Sequence, residues 1–171
     1  MTAFHRWRDP VVLEDLFLYH LARLQAAAGS MVVRLCEGGY GITRREWRML
    51  CVLAETRRLQ PSQLAEQAHL DRTRTSRVVT ALLAKGLVRR ESQVGDARRA
   101  LLQLSDAGRA LYNELLPQVQ AINRALMDTL PEDELQAMAS AFARIHARAR
   151  ELEQSSPPPK APRNRRRPGA R

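Results

Sequence analysis

The sequence predicts a mostly helical protein with one small β-hairpin just past its middle. Three observations carry this. Apolar side chains recur at spacings of three, four and seven over most of the chain. Capping residues or prolines stand ahead of at least five of the six periodic runs. One stretch, Leu87 to Leu104, instead places two short apolar runs on either side of a Gly-Asp turn.

The first helix is expected over residues 10–37, where Leu18, Leu21, Ala28, Val32 and Leu35 share a face and the Gly38, Gly39 and Gly41 cluster ends the run. Thr43-Arg-Arg-Glu46 has the form of a capping box ahead of Trp47, Leu50 and Leu53, which makes a second helix of about three turns. Pro61 suits the first turn of a third helix, since its missing N–H would be unpaired there, and Leu64, Ala65 and Ala68 form the apolar side. Asp71 caps a fourth helix that Gly86 closes. Leu87–Glu91 and Ala100–Leu104 are the expected strands. Ser105 caps a fifth helix carrying Leu111, Leu115, Val119, Ile122 and Leu126. Pro131 begins a sixth, with Leu135, Met138, Phe142, Ile145 and Leu152 in near-heptad register. The last seventeen residues hold five prolines and no acid, a composition that cannot bury apolar surface and is expected to be disordered.

The formal net charge of +10 is unevenly distributed. Residues 1–40 are neutral, 41–108 carry +6, 109–154 carry −2 and 155–171 carry +6. A basic middle between neutral or acidic flanks points to a polyanionic partner for that middle. The chain has no run of roughly 18 apolar residues that could span a membrane. Its start, MTAFHRWRDP, has no apolar stretch after the basic residues, which argues against a secretory signal. Two cysteines without a CxxC pattern fit a reducing cytoplasm, with Cys36 and Cys51 as inert thiols.

The fourth helix carries the strongest functional signal. Projected at about 100° per residue, "DRTRTSRVVTALLAKG" places Thr75, Val78, Val79 and Leu82 on one face. Thr73, Ser76, Arg77 and Thr80 lie opposite, with Arg72 and Arg74 on the shoulders, and no acid occurs between Arg72 and Arg90. Short hydroxyl side chains let a helix approach a groove closely, and arginine reaches guanine edges or phosphates. The third and fourth helices, joined by a short "HLD" break, form a helix-turn-helix candidate, and the hairpin after it makes the unit winged. In that geometry the fourth helix enters the major groove, and a basic tip of Asp96, Arg98 and Arg99 lies over an adjacent minor groove, with Asp96 holding Arg98 extended. The outer helices are too long to be satisfied by so small a core, so a second copy of the chain is the simplest cover for their apolar stripes.

These residues resemble the MarR family of transcriptional regulators. The resemblance rests on "PSQLAEQAHLDRTRTSRVVTALLAKGLVRR", on "GDARRALLQLSDAG" with its Asp-x-Arg wing, and on the flanking helices, and it covers roughly residues 10–153. It implies a winged helix-turn-helix over 41–108 and interlocking dimerisation helices in 1–40 and 109–154, and leaves the basic, Pro-rich tail over 155–171 outside it. It further implies a homodimer on a palindromic double-stranded operator, usually as a repressor, released by a small aromatic or phenolic acid or its coenzyme A thioester. The DNA-binding positions are then Arg72, Thr73, Arg74, Ser76, Arg77, Asp96, Arg98 and Arg99. Thr75 departs from the pattern, because such proteins often have an apolar residue there.

Tyr19, His20, Arg23, Arg34, Tyr40 and Trp47 are the candidate effector residues, with the arginines suited to an anionic aromatic ligand; packing at a dimer interface or between helices explains each of them equally. Enzyme chemistry finds little support, since there is no Gly-rich phosphate loop and Glu46 and Glu55 have no partner making an acid/base pair. His5, His20, His69 and His146 lack metal-ligand spacing, so neither a metal nor any other cofactor is expected. A sequence-tolerant architectural nucleic-acid binder without an effector stays open beside the regulator. It would show only a salt-dependent phosphate attraction and no base preference.

Overall fold

The computed structural model describes residues 6–155 apart from Val94 and Gly95, and the side chains of residues 92–100 lie outside that description. Its elements are a 3-10 turn Leu13–Asp15, α1 (Phe17–Arg34) running into a π turn Leu35–Gly39, α2 (Arg44–Thr56), α3 (Pro61–Gln67), α4 (Arg72–Ala84), β1 (Val88–Gln93), β2 (Asp96–Leu104), α5 (Asp106–Met127) and α6 (Glu132–Ser155). The expected tail lies outside the described residues from 156 onward.

The first helix begins later than the apolar periodicity predicts. The Asp15 carboxylate accepts the backbone N–H groups of Val11 at 2.9 Å and Val12 at 3.1 Å, which folds residues 11–15 into a local turn that competes with helix. Those two hydrogen bonds hold the buried Asp15 carboxyl below its usual range.

The winged unit follows the capping logic of the sequence. Thr43 and Glu46 form the reciprocal box that opens α2: Glu46 N–H donates to Thr43 Oγ1 at 3.2 Å and Thr43 N–H to Glu46 Oε2 at 2.6 Å. Pro61 stands in the first turn of α3. That helix ends with Leu70 N–H donating to Ala65 O and His69 N–H to Glu66 O, both within 3.1 Å, around His69 at φ 51°. Asp71 Oδ1 then accepts Arg74 N–H at 2.8 Å and starts α4. The same paired closure ends α4, with Leu87 N–H on Leu82 O and Gly86 N–H on Leu83 O at 3.0 Å, around Gly86 at φ 68°.

β1 and β2 pair antiparallel, with Val88 opposite Leu104, Glu91 opposite Leu101 and Gln93 opposite Asp96, and an irregularity between Glu91 and Gln93. Leu59 adds a single bridge, exchanging backbone hydrogen bonds with Leu102 at 3.1 and 2.8 Å. Both strands run further toward the tip than the apolar runs predict. Asp96, Arg98 and Arg99 therefore fall within the span of β2, where the register shifts between the Glu91–Leu101 and Gln93–Asp96 pairs.

Ser105 joins the hairpin to α5 by donating to Gly86 O at 2.6 Å and accepting Gly108 N–H at 3.0 Å. A Cβ on Gly108 would come to 1.9 Å from Leu87 O, so α5 starts directly against the backbone before β1. The core lies among these elements: Met49, Leu50 and Leu53 of α2, Leu64 of α3, Leu82 of α4, Leu102 of β2 and Leu115 of α5 are fully buried. The chain divides into two compact units, Met1–Leu126 and Met127–Arg171. The second contributes α6, on which Phe142, Ile145 and Leu152 are exposed. No described helix is long and apolar enough to cross a membrane.

Candidate nucleic-acid interface and effector groove

The inner face of α4 is the one the sequence predicts: Thr75, Val79 and Leu82 are buried and Val78 is half-buried. Arg72, Thr73, Arg74, Ser76, Arg77 and Thr80 are exposed. Arg74 pairs with the capping Asp71 at 3.2 Å, and Thr80 Oγ1 donates back to Ser76 O at 2.9 Å. Arg72 and Arg77 have no carboxylate partner among the described residues, so their guanidinium groups are available to an external acceptor. Thr75 differs in kind from the other inward residues. It is 2 % exposed, and its Oγ1 has no hydrogen-bond partner among the described residues.

On the hairpin, Arg89 and Arg90 are exposed, and Glu91 is engaged by Arg58 at 3.2 Å and by Gln103 Nε2 at 3.0 Å. Asp96 pairs with Gln93. Asp96, Arg98 and Arg99 are described by backbone alone, within β2.

The six candidate effector residues fall in separate places. Tyr19, His20 and Arg23 lie near the start of α1, where the Arg23 guanidinium sits 5.8 Å from the Tyr19 ring centre and the His20 ring bonds the Glu14 carbonyl. Tyr40 is held by α5: its hydroxyl donates to Glu114 at 3.1 Å and accepts from Gln118, and burial pushes its pKa up. Trp47 is buried, stacked on Tyr112 with ring centres 5.6 Å apart. Both side chains are thus engaged by residues of α5.

Arg34 lies elsewhere, in a groove of about 610 Å³ between α1 and the start of α2. Arg44 and Arg45, which the sequence reading did not single out, line the same groove with Ser30 and Thr43. Arg44 is half-buried and lies against α1 where that helix has Gly29; a Cβ at Gly29 would come to 2.7 Å from Arg44 Nη1. No carboxylate pairs with Arg44 among the described residues. A glycine in a helix interior costs roughly 1 kcal/mol against alanine, and this signal in the sequence could have pointed to a side chain crossing there. A second groove, about 660 Å³ and mostly apolar, runs between α1 and the later half of α5 along Leu21, Ala28, Val32, Val119, Ile122 and Leu126, with Gln25 and Asn123 among its lining residues.

Among the described residues no cluster of three or more His, Cys, Asp or Glu could hold a metal ion. Burial raises the pKa of both thiols, that of Cys51 to about 12, with Glu55 adding to the effect at Cys51.

A MarR family model matches residues 40–99, from the junction before α2 into β2. The chain is 31% identical over 104 residues to the HTH-type transcriptional regulator FarR of Neisseria gonorrhoeae, covering 61% of this chain and 71% of that one. It is 27% identical over 119 residues to the homoprotocatechuate degradative operon repressor of Escherichia coli, covering 69% and 80%. Among solved structures, NadR in complex with 4-hydroxyphenylacetate superimposes with a TM-score of 0.62 at 28% identity, covering 74% of this chain and 89% of that one. With its winged helix-turn-helix fold and its arginine-bearing fourth helix, the chain belongs to the MarR family of DNA-binding transcriptional regulators.

Proposed function

We propose that this protein is a homodimeric repressor of a palindromic operator, released by a small aromatic carboxylate or its thioester. The observation that carries the reading is the outward face of α4, where Arg72, Thr73, Ser76 and Arg77 stand exposed on a helix whose other side is buried. In this reading α4 enters the major groove, Arg77 reads a base edge, and the hairpin with Asp96, Arg98 and Arg99 reaches the neighbouring minor groove. Residues 41–108 form the DNA-binding unit, and the basic tail, 155–171, adds phosphate attraction without sequence preference.

A second copy covers the apolar α1–α5 groove and the exposed stripe of α6, so that 1–40 and 109–154 form the dimer frame. Two recognition helices then meet half-sites about 10 bp apart, centre to centre. The effector enters the groove between α1 and α2, where the half-buried Arg44 with Arg34 and Arg45 offers cationic partners for a carboxylate and Ser30 a hydroxyl. The names of two relatives, an operon repressor for homoprotocatechuate degradation and a complex with 4-hydroxyphenylacetate, support an aromatic acid as the class. Operator DNA places the protein in the cytoplasm.

Footprinting on the intergenic DNA beside its own gene tests this. A protected palindrome is expected, lost on Arg77→Ala, with protection weakened by 4-hydroxyphenylacetate or a related acid. Uniform protection that no acid alters, and that only salt weakens, would instead support a sequence-tolerant architectural binder.

A further inference from the structure

Behind the exposed face of α4, the helix ends are joined by a charged tie. Glu46, in the first turn of α2, is 3 % exposed, and its Oε2 accepts both the Thr43 backbone N–H at 2.6 Å and the Lys85 ammonium at 2.8 Å. Lys85 is the residue on which α4 ends, and its Nζ also donates to the Gly41 carbonyl at 2.8 Å. Each partner sits at a chain reversal. Gly41 is left-handed at φ 63° before α2, and Gly86, directly after Lys85, is left-handed at φ 68°. One ammonium therefore binds the turn that leads out of α1 to the turn that leads out of α4.

The pair is buried on one side only, since the Glu46 carboxylate has lost its water while the Lys85 ammonium stays partly exposed, so its net contribution to stability is small. What it does add is direction, since a carboxylate deprived of its cation is left uncompensated in the core. Here the direction concerns α4. Its first turn is set by Asp71 and the short turn from α3, while its last turn is fixed by Leu82 in the core and by Lys85 on Glu46. The carboxylate that holds Lys85 also accepts from Thr43, and Thr43 lines the α1–α2 groove beside Arg44 and Arg45. A molecule in that groove would thus meet the residue next in line to the tie.

We propose that Glu46 and Lys85 are a positioning pair, touching neither base nor effector, that fixes the pose of α4 on the α1–α2 junction and carries occupancy of the groove to the recognition helix. This rests on the operator-binding reading above. A pose held from both ends shows itself as intolerance to half-site spacing, which a residue with a merely structural role would not change.

The test uses the full chain and an operator chosen from a random DNA library. Its two half-sites are then moved apart or together in single base-pair steps, and a duplex with one half-site serves as the control. Wild type should lose at least tenfold in affinity on a one-base-pair change. Glu46→Gln/Lys85→Met, which leaves no buried charge and keeps an acceptor for Thr43, should bind the single half-site within threefold of wild type but flatten the spacing profile to within threefold. Glu46→Gln alone, which removes the buried charge, keeps an acceptor for Thr43 and leaves the partly exposed Lys85 ammonium to water, gives the same reading should the double variant fold poorly, and Lys85→Arg should keep the wild-type profile. A folded variant with the wild-type spacing profile would overturn the proposal. So would loss of single half-site binding, which would make Lys85 a DNA contact. A wild type that selects no operator at all would instead remove the operator-binding reading, and the positioning pair with it.

Discussion

Replacing Thr75 by valine should stabilise the protein. The side chain is 2 % exposed on the inner face of α4, and its hydroxyl finds no partner among the described residues. Taking a hydroxyl out of water without replacing its hydrogen bond costs about 1–3 kcal/mol. Valine has nearly the same volume and the same branching at Cβ, so the helix propensity changes by a few tenths of a kcal/mol at most. The expected net gain is about 1–2 kcal/mol, which raises Tm by roughly 2–8 °C for a chain of this size.

Urea denaturation at 25 °C, followed by circular dichroism, measures this directly, provided the slope against denaturant stays the same. Two companions separate the hydroxyl from the methyl. Thr75→Ser keeps the orphan oxygen and loses a buried methyl, so it should cost about 1 kcal/mol. Thr75→Ala loses both groups and should fall near wild type. Operator binding should be unchanged in all three, because the residue faces inward. A valine variant no more stable than wild type would refute the reasoning, since it would mean that the hydroxyl is satisfied in solution.

Other expectations follow from backbone geometry and burial. Gly108→Ala should destabilise by about 2 kcal/mol or more despite alanine's better helix propensity, because its Cβ would meet Leu87 O at 1.9 Å; an unchanged urea midpoint would show that α5 can retreat from β1 freely. His69→Gly should gain about 0.5–1 kcal/mol by relieving a left-handed residue at the end of α3, and a loss of stability would mean that the imidazole itself contributes. Cys51, with its thiol pushed up to about 12, should have a thiolate fraction of roughly 10⁻⁴ at pH 8. Disulfide-exchange reagents should label it at that pH far faster once urea unfolds the protein; equally prompt labelling of native protein would contradict the raised pKa of this half-buried thiol.

The parts of this fold that could be read from the sequence are those whose physics is local. The Thr43–Glu46 box, Pro61, the Asp71 cap, Gly86 and Ser105 each act within a few residues, and each stands at the helix end it implies. The start of α1 was hidden because the turn at Asp15 competes with helix through two hydrogen bonds that apolar spacing does not register. The strands outran their apolar stretches for a similar reason, since pairing needs only backbone groups. The candidate effector set was the least legible part. Tyr40 and Trp47 look like ligand residues in one dimension but find their partners, Glu114, Gln118 and Tyr112, more than sixty positions away on α5. Arg44 was overlooked because its crossing of Gly29 depends on where α1 and α2 meet in space.

The strict two-sidedness of α4 bears on how such a regulator can change over evolutionary time. The buried residues Thr75, Val79 and Leu82 anchor the helix, and none of Arg72, Thr73, Ser76 or Arg77 contributes a side chain to that packing. Exposed substitutions of this kind usually shift stability by no more than about 0.5 kcal/mol. A lineage can therefore vary the outer residues widely while the chain keeps folding, and a duplicated gene could acquire a new set of targets without first accumulating stabilising changes. Arg74 is more constrained, because its backbone N–H is bound to Asp71 and its side chain pairs with the same carboxylate. Drift in recognition should accordingly appear first at Thr73, Ser76 and Arg77, and last at Arg74.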